Sequence, residues 1–155
     1  MKIVVFSDTH KQISGAQRII LAEKPDLILH LGDHIKDAYR LKEQFPEIPL
    51  ECVPGNCDYA PAEAETKIIT VQGLTLMLTH GHNYRVKYET QSLLNAAYFQ
   101  GADMVLFGHT HRPVNDRVEG LYVVNPGTAG QGTRRTWARI IIENGEVKEI
   151  SIEEI

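Results

Sequence analysis

Met104-Val105-Leu106-Phe107-Gly108-His109-Thr110-His111 is an unbroken apolar run that ends in two histidines. The run is short, and a glycine bounds it, as expected of a buried strand. His109 and His111 then stand where that strand meets solvent. Residues two apart in extended chain face one side, so both imidazoles can reach a shared site. Imidazole binds metal through one nitrogen while the other is held in place.

The same grammar recurs along the chain. Residues 3–6, Ile-Val-Val-Phe, run into Ser7-Asp8-Thr9-His10. Residues 27–31 run into Gly32-Asp33-His34, and residues 48–53 into Pro54-Gly55-Asn56-Cys57-Asp58. Residues 74–79 run into His80-Gly81-His82. Five apolar runs thus end in loops bearing metal-ligand types: Asp8 and His10, Asp33, Asn56, His80, and His109 with His111. Sites in open α/β sheets form at such carboxyl ends. Taken singly, Asp8 also fits a turn cap, Asp33 a helix N-cap, Asn56 a turn and His80 a loop histidine.

Between the first three runs, helical spacing appears. Ala16, Ile19, Ile20 and Glu23 mark a helix over residues 15–24, stopped by Pro25; Ala38, Leu41 and Phe45 mark another over 37–45, stopped by Pro46. This β-α-β-α-β order predicts parallel strands with right-handed crossovers. The second half differs. Residues 67–71 and 74–79 flank Gln72-Gly73 as a hairpin. Residues 90–100 predict a helix with Leu93, Leu94, Ala97 and Tyr98 inward. Short strands follow over 114–118 and 121–124. Residues 136–143 and 146–152 pair across Asn144-Gly145, a type I′ signal. The expectation is an α/β fold with two packed sheets, helices outside, and one domain over residues 1–155.

Composition narrows the function. Across 155 residues, 43% are apolar and 23% charged, within the globular range. A net charge of −4 offers no general attraction to polyanions, which disfavours nucleic acid as partner. No run approaches the roughly 20 apolar residues of a membrane span. Residues 1–6 are too short for a signal peptide, and Cys52 and Cys57 make no disulfide framework, so a reduced cytoplasmic protein is expected.

The ordered motifs Asp8-Thr9-His10, Gly32-Asp33, Gly55-Asn56-Cys57-Asp58, His80-Gly81-His82 and Gly108-His109-Thr110-His111 resemble the calcineurin-like metallophosphoesterases. The resemblance spans residues 1 to about 130 and fits the small bacterial and archaeal phosphodiesterase branch. It implies a four-layer αββα sandwich of two mixed β-sheets flanked by helices. It implies a phosphoric ester hydrolase, a phosphodiesterase acting on small phosphodiesters or nucleotides through a hydroxide bridging two metal ions. One ion would be held by Asp8, His10, Asp33 and His111, the other by Asp33, Asn56, His80 and His109, with Asp33 bridging. Asp33, Asn56 and His80 would thereby serve catalysis. Mixed oxygen and imidazole ligands suit manganese, or iron, zinc, nickel or cobalt, rather than calcium.

The chain departs from the family where Cys57 replaces the usual histidine after Gly-Asn. A thiol with an ordinary pKa near 8.5 is a poor general acid at pH 7. Cys57, Asp58, His82 and Arg112 are the substrate-side candidates, while His30 and His34 receive no role. Asn125-Pro126-Gly127-Thr128 reads as a loop bracing the site. The resemblance admits two other readings: an interaction scaffold, as in a retromer subunit of this fold, and a nuclease. All seven ligand positions are filled, which favours the enzyme. Small-branch members are often homo-oligomers, so a dimer or tetramer is expected.

Overall fold

The computed structural model describes residues 1–155. Its elements run β1 (Lys2–Phe6), α1 (Ser14–Glu23), β2 (Leu27–His30), α2 (Ile35–Gln44), β3 (Leu50–Cys52), β4 (Thr66–Val71), β5 (Leu74–Thr79), α3 (Gln91–Phe99), β6 (Met104–Leu106), β7 (Val114–Val118), β8 (Leu121–Asn125), β9 (Thr136–Glu143) and β10 (Glu146–Glu154). A single 3₁₀ turn, His82–Tyr84, follows β5.

Two five-stranded sheets form, ordered β10-β9-β1-β2-β3 and β4-β5-β6-β8-β7. In the first, β1, β2 and β3 are parallel and β9 joins β1 antiparallel. In the second, β5, β6 and β8 are parallel, and β4 and β7 close the edges antiparallel. Both sheets are therefore mixed. The central strands carry continuous apolar sequence because both of their faces are covered.

Alternate residues sort between the two faces. Ile3, Val5, Leu27 and Leu29 of the first sheet meet Leu76, Leu78, Leu106 and Val124 of the second in a core between the sheets. Val4, Phe6 and Ile28 point outward, under Ala16, Ile20, Ala38 and Leu41 of α1 and α2. Met77, Val105 and Val123 pack under Leu93, Leu94 and Ala97 of α3. The layers are helix, sheet, sheet, helix: the expected αββα sandwich.

Local chemistry explains the turns. Gln72-Gly73, Glu119-Gly120 and Asn144-Gly145 each join two strands with both φ angles positive, as type I′ hairpins require. Helix α2 begins at Ile35, ahead of the sequence expectation of 37, because Asp58 Oδ1 accepts the Ile35 N–H from outside the helix (2.8 Å). Tyr98 differs from expectation. It lies at the sheet edge, 38% exposed, where its hydroxyl donates to the Val118 carbonyl (2.9 Å) instead of entering the core. No helix is long and apolar enough to cross a membrane.

The core between the sheets positions everything above it. Leu106→Ala, at a fully buried site, is expected to cost about 3 kcal/mol in denaturant unfolding, whereas Phe99→Ser, at a residue 90% exposed, should stay within about 0.5 kcal/mol.

Candidate metal centre

The strand ends deliver the candidate residues to one seam. The first sheet contributes Asp8 and His10 after β1, Asp33 after β2 and Asn56 after β3. The second contributes His80 and His82 after β5, and His109 and His111 after β6. Gly108 lies against Ser7 so closely that a Cβ there would strike the serine oxygen; Gly55 is pressed likewise against Asp33 Oδ1. Glycine at these two points allows the strand-end loops to converge.

Asp8 is fully buried and Asp33 is 3% exposed. Asp8 Oδ2 accepts the Ser7 hydroxyl (2.5 Å) and the His109 N–H (3.2 Å). Asp33 Oδ1 accepts the Cys57 N–H (3.0 Å). The remaining neighbours are imidazoles. His111 Nε2 lies 2.9 Å from Asp8 Oδ1, yet Asp8 Oδ1 lacks an aligned hydrogen bond. His10 Nε2 lies 3.7 Å from Asp33 Oδ2, and His80 Nε2 lies 3.4 Å from Asp33 Oδ1; both nitrogens are buried without a hydrogen-bond partner.

His80 shows what this means. Its Nδ1 is 2.7 Å from the Leu31 carbonyl, which can only accept, so Nδ1 carries a proton. In the neutral ring Nε2 is then a lone pair facing a carboxylate oxygen. Two lone pairs at that range need a cation between them. Donor atoms of Asp8, His10, Asp33 and His111 all lie within 4.8 Å of one another. Ligands at about 2.0–2.2 Å from an ion span a comparable distance. The residues present therefore fit a divalent metal.

The rings divide into two groups with Asp33 between them. His10 lies 5.6 Å from His111 and 5.1 Å from His34, centroid to centroid. His80 lies 5.0 Å from His109 and 5.5 Å from His82. Asp33 presents Oδ2 to the first group and Oδ1 to the second.

Electrostatics favour the neutral, ligating form of three of these rings. Burial pushes His10 and His82 below the ordinary histidine value. Burial, then the fields of His80 and Lys87, pushes His109 down to about 4. His111 alone is raised, chiefly by contact with Asp8. Burial works to raise Asp8, but contact with His111, the field of His80 and the Ser7 hydroxyl together hold its carboxyl below the usual range.

Not every candidate arrives as expected. Asn56 is exposed, with its amide nitrogen 3.6 Å from Cys57 Sγ, so no buried contact holds its oxygen toward His80 and His109. Asp58 braces the loop: its two oxygens accept the N–H groups of Ile35 and Gly55 (2.8 Å each). Asp33 caps no helix, since His34 holds that place without a side-chain cap. His82 Nδ1 is buried and unpartnered beside His80. Arg112 is exposed at the rim.

His30, given no role by its sequence context, lies fully buried beneath the first loop. Its Nδ1 accepts the Gly32 N–H (3.3 Å), so Nε2 donates to Thr9 Oγ1 (3.1 Å). Thr9 donates onward to Asp37 Oδ2 (2.8 Å), which also accepts the Lys11 N–H (2.7 Å). The chain clamps the loop on either side of His10. The loop after β8 clamps from the other sheet: Asn125 donates to the Gly108 carbonyl (2.9 Å), and Thr128 to the Asp8 carbonyl (3.1 Å). Asp37 lies in the first turn of α2, buried with Ala38 and Leu41, and that helical phase is the sequence signal for it.

With this geometry established, comparison with known proteins becomes specific. The Calcineurin-like phosphoesterase superfamily domain matches residues 1–145. The chain belongs to that superfamily. It is 31% identical over 153 residues to the Probable metallophosphoesterase YsnB of Bacillus subtilis, spanning 93% of this chain and 86% of that one. It is 27% identical to the Phosphodiesterase MJ0936 of Methanocaldococcus jannaschii, over 82% and 83% of the two chains. A conserved uncharacterized protein of Streptococcus pneumoniae superposes with a TM-score of 0.83 at 24% identity, covering 99% and 88%. Vps29 of Entamoeba histolytica, solved with Zn²⁺, superposes at 0.78 with 20% identity, covering 100% and 98%. The last two likenesses show a shared fold.

The buried imidazoles link the site to stability. Burial pushes His30 down to about 4, whereas the unfolded chain protonates it near 6.5. Between these values the unfolded state binds more protons, so stability falls as pH falls through that window. In metal-free urea unfolding, the wild type should lose about 3 kcal/mol more than His30→Gln between pH 7 and pH 4.

Proposed function

We propose that this phosphoesterase-superfamily chain is a metal-dependent phosphodiesterase of small phosphodiesters or nucleotides, working with two divalent cations. One observation carries the reading. Asp33 turns its two carboxylate oxygens to two separate histidine groups. A carboxylate so placed could serve two cations, an arrangement suited to clamping a phosphoryl group.

Asp8, His10, Asp33 and His111 would hold one cation; Asp33, Asn56, His80 and His109 the other. Manganese is the favoured ion, and iron, zinc, nickel and cobalt suit the same donors. Bound there, divalent cations would supply Lewis acidity toward water and toward the phosphoryl oxygens.

The chain's own residues set the rest. His30, Thr9 and Asp37 fix the His10 loop, and Leu31 fixes the tautomer of His80. Asn56, in the exposed turn after β3, would contribute its side-chain oxygen. His82 lies beside His80 and His109 with its Nδ1 buried and unpartnered, and we assign it to the substrate side of the centre. Burial, then the field of Asp33, pushes the Cys57 thiol up to about 11. It therefore stays protonated at neutral pH and gives up its proton reluctantly, so esters whose leaving group departs without protonation are preferred.

The filled ligand positions favour catalysis over a scaffold role, and the net charge of −4 disfavours a nuclease. Asp33→Asn should lower both bound metal and Mn²⁺-supported hydrolysis of bis(4-nitrophenyl) phosphate, the latter by more than about 100-fold. Unchanged values for both would overturn the two-cation reading. Cys57→His should raise turnover of alkyl-leaving diesters more than of aryl-leaving ones; equal gains would count against a leaving-group role.

A further inference from the structure

A groove of about 450 Å³ opens beside the histidine loop, within the size range of small-molecule sites. Thr110, between His109 and His111, forms part of its wall, so the groove and the metal centre share one loop. Its floor is apolar. Phe107 and Val86 are 2% and 6% exposed, and Val114 is half-buried.

Its rim is cationic. Lys87 and Arg112 line it, both are exposed, and neither makes an ion pair. No acidic side chain lines the groove. The Thr110 hydroxyl is already engaged. It accepts from Asn125 Nδ2 (3.1 Å) and the Arg112 N–H (3.2 Å), and lies 3.3 Å from the Arg112 carbonyl, to which it donates. This fixes the Arg112 backbone, and Pro113 restricts it further. Recognition of a ligand then falls to the apolar floor and the two unpaired cations.

We propose that this groove binds the arm of the substrate that stays with phosphorus, and that this arm is a small planar body bearing a second anionic group. The proposal rests on the phosphodiesterase reading. It adds that the natural ester carries negative charge beyond the scissile phosphate. An apolar floor stabilises a flat ring by excluding water. Lys87 and Arg112 then select among rings by charge.

The test compares two Mn²⁺-supported substrates differing in one carboxylate: phenyl 4-nitrophenyl phosphate and 4-carboxyphenyl 4-nitrophenyl phosphate. The wild type should show kcat/KM higher for the carboxylated ester by roughly five- to thirtyfold, as expected for two partly exposed cations. In the double variant Lys87→Met/Arg112→Met that ratio should fall to about one, while the conservative Lys87→Arg keeps it. A wild-type ratio near one, or an undiminished ratio in the double variant, overturns the proposal. If the wild type hydrolyses neither ester, the phosphodiesterase reading fails, and calorimetry with the non-hydrolysable phenylphosphonate and 4-carboxyphenylphosphonate decides the groove on its own. Tighter wild-type binding of the carboxylated ligand, lost in the double variant, supports it; equal binding of the two overturns it.

Discussion

Two carboxyl groups, Asp8 and Asp33, are buried side by side at the ends of neighbouring parallel strands, and the side chains that face them are imidazoles rather than lysine or arginine. An uncompensated buried carboxylate costs several kcal/mol. The protein meets part of that cost with the Ser7 hydroxyl and the N–H groups of Cys57 and His109. It leaves Asp8 Oδ1, His10 Nε2 and His80 Nε2 unpartnered. With burial holding His10 and His109 below their ordinary values, protons on those rings are a poor remedy near neutral pH. Bound metal would supply what is missing, and neutral imidazoles are the form that ligates it.

The same constraint shapes the backbone. Asp8, His10, Asp33, His109 and His111 all hold left-handed φ angles, between 44° and 66°. Each costs about 1–3 kcal/mol in a non-glycine residue. Such strain persists only where the surroundings dictate it, and the surroundings here are rigid: parallel strands below, the His30–Thr9–Asp37 chain on one side and the loop after β8 on the other. Each proposed cation would draw ligands from both sheets. Asp8, His10 and Asp33 would meet His111 across the seam, and Asp33 and Asn56 would meet His80 and His109. The core between the sheets sets the spacing of the seam, and bound metal would in turn tie the sheets together.

Much of this was legible in the sequence because parallel strands buried on both faces leave an unmistakable trace. Runs such as residues 3–6 and 104–107 are apolar throughout and stop at a ligand type, so both the element and its functional end can be read locally. Type I′ turns are equally local: Asn144-Gly145 announced its hairpin. Illegible features depend on partners distant in sequence. The insertion of β9 beside β1 requires pairing across more than a hundred residues. Asp58 reads as a substrate-side residue, and only the fold shows its oxygens on the N–H groups of Ile35 and Gly55. His30 sits inside an ordinary apolar run, and only the fold shows that it holds Thr9. Tyr98 has the right helical phase for the core, but its ring falls beyond the sheet edge. The exposure of Asn56, and the contact of its amide nitrogen with Cys57, depend on side-chain packing that no spacing encodes.

The central claim is that Asp33 joins two distinct cation sites, with His111 belonging to one and His109 to the other. Calorimetric titration of chelator-treated protein with Mn²⁺ tests it most directly, on the wild type, His109→Gln and His111→Gln. The account predicts two ions per wild-type chain. Each variant should keep one site and weaken the other, and the site weakened should differ between the two. A single ion in the wild type, or the same site lost in both variants, would contradict it.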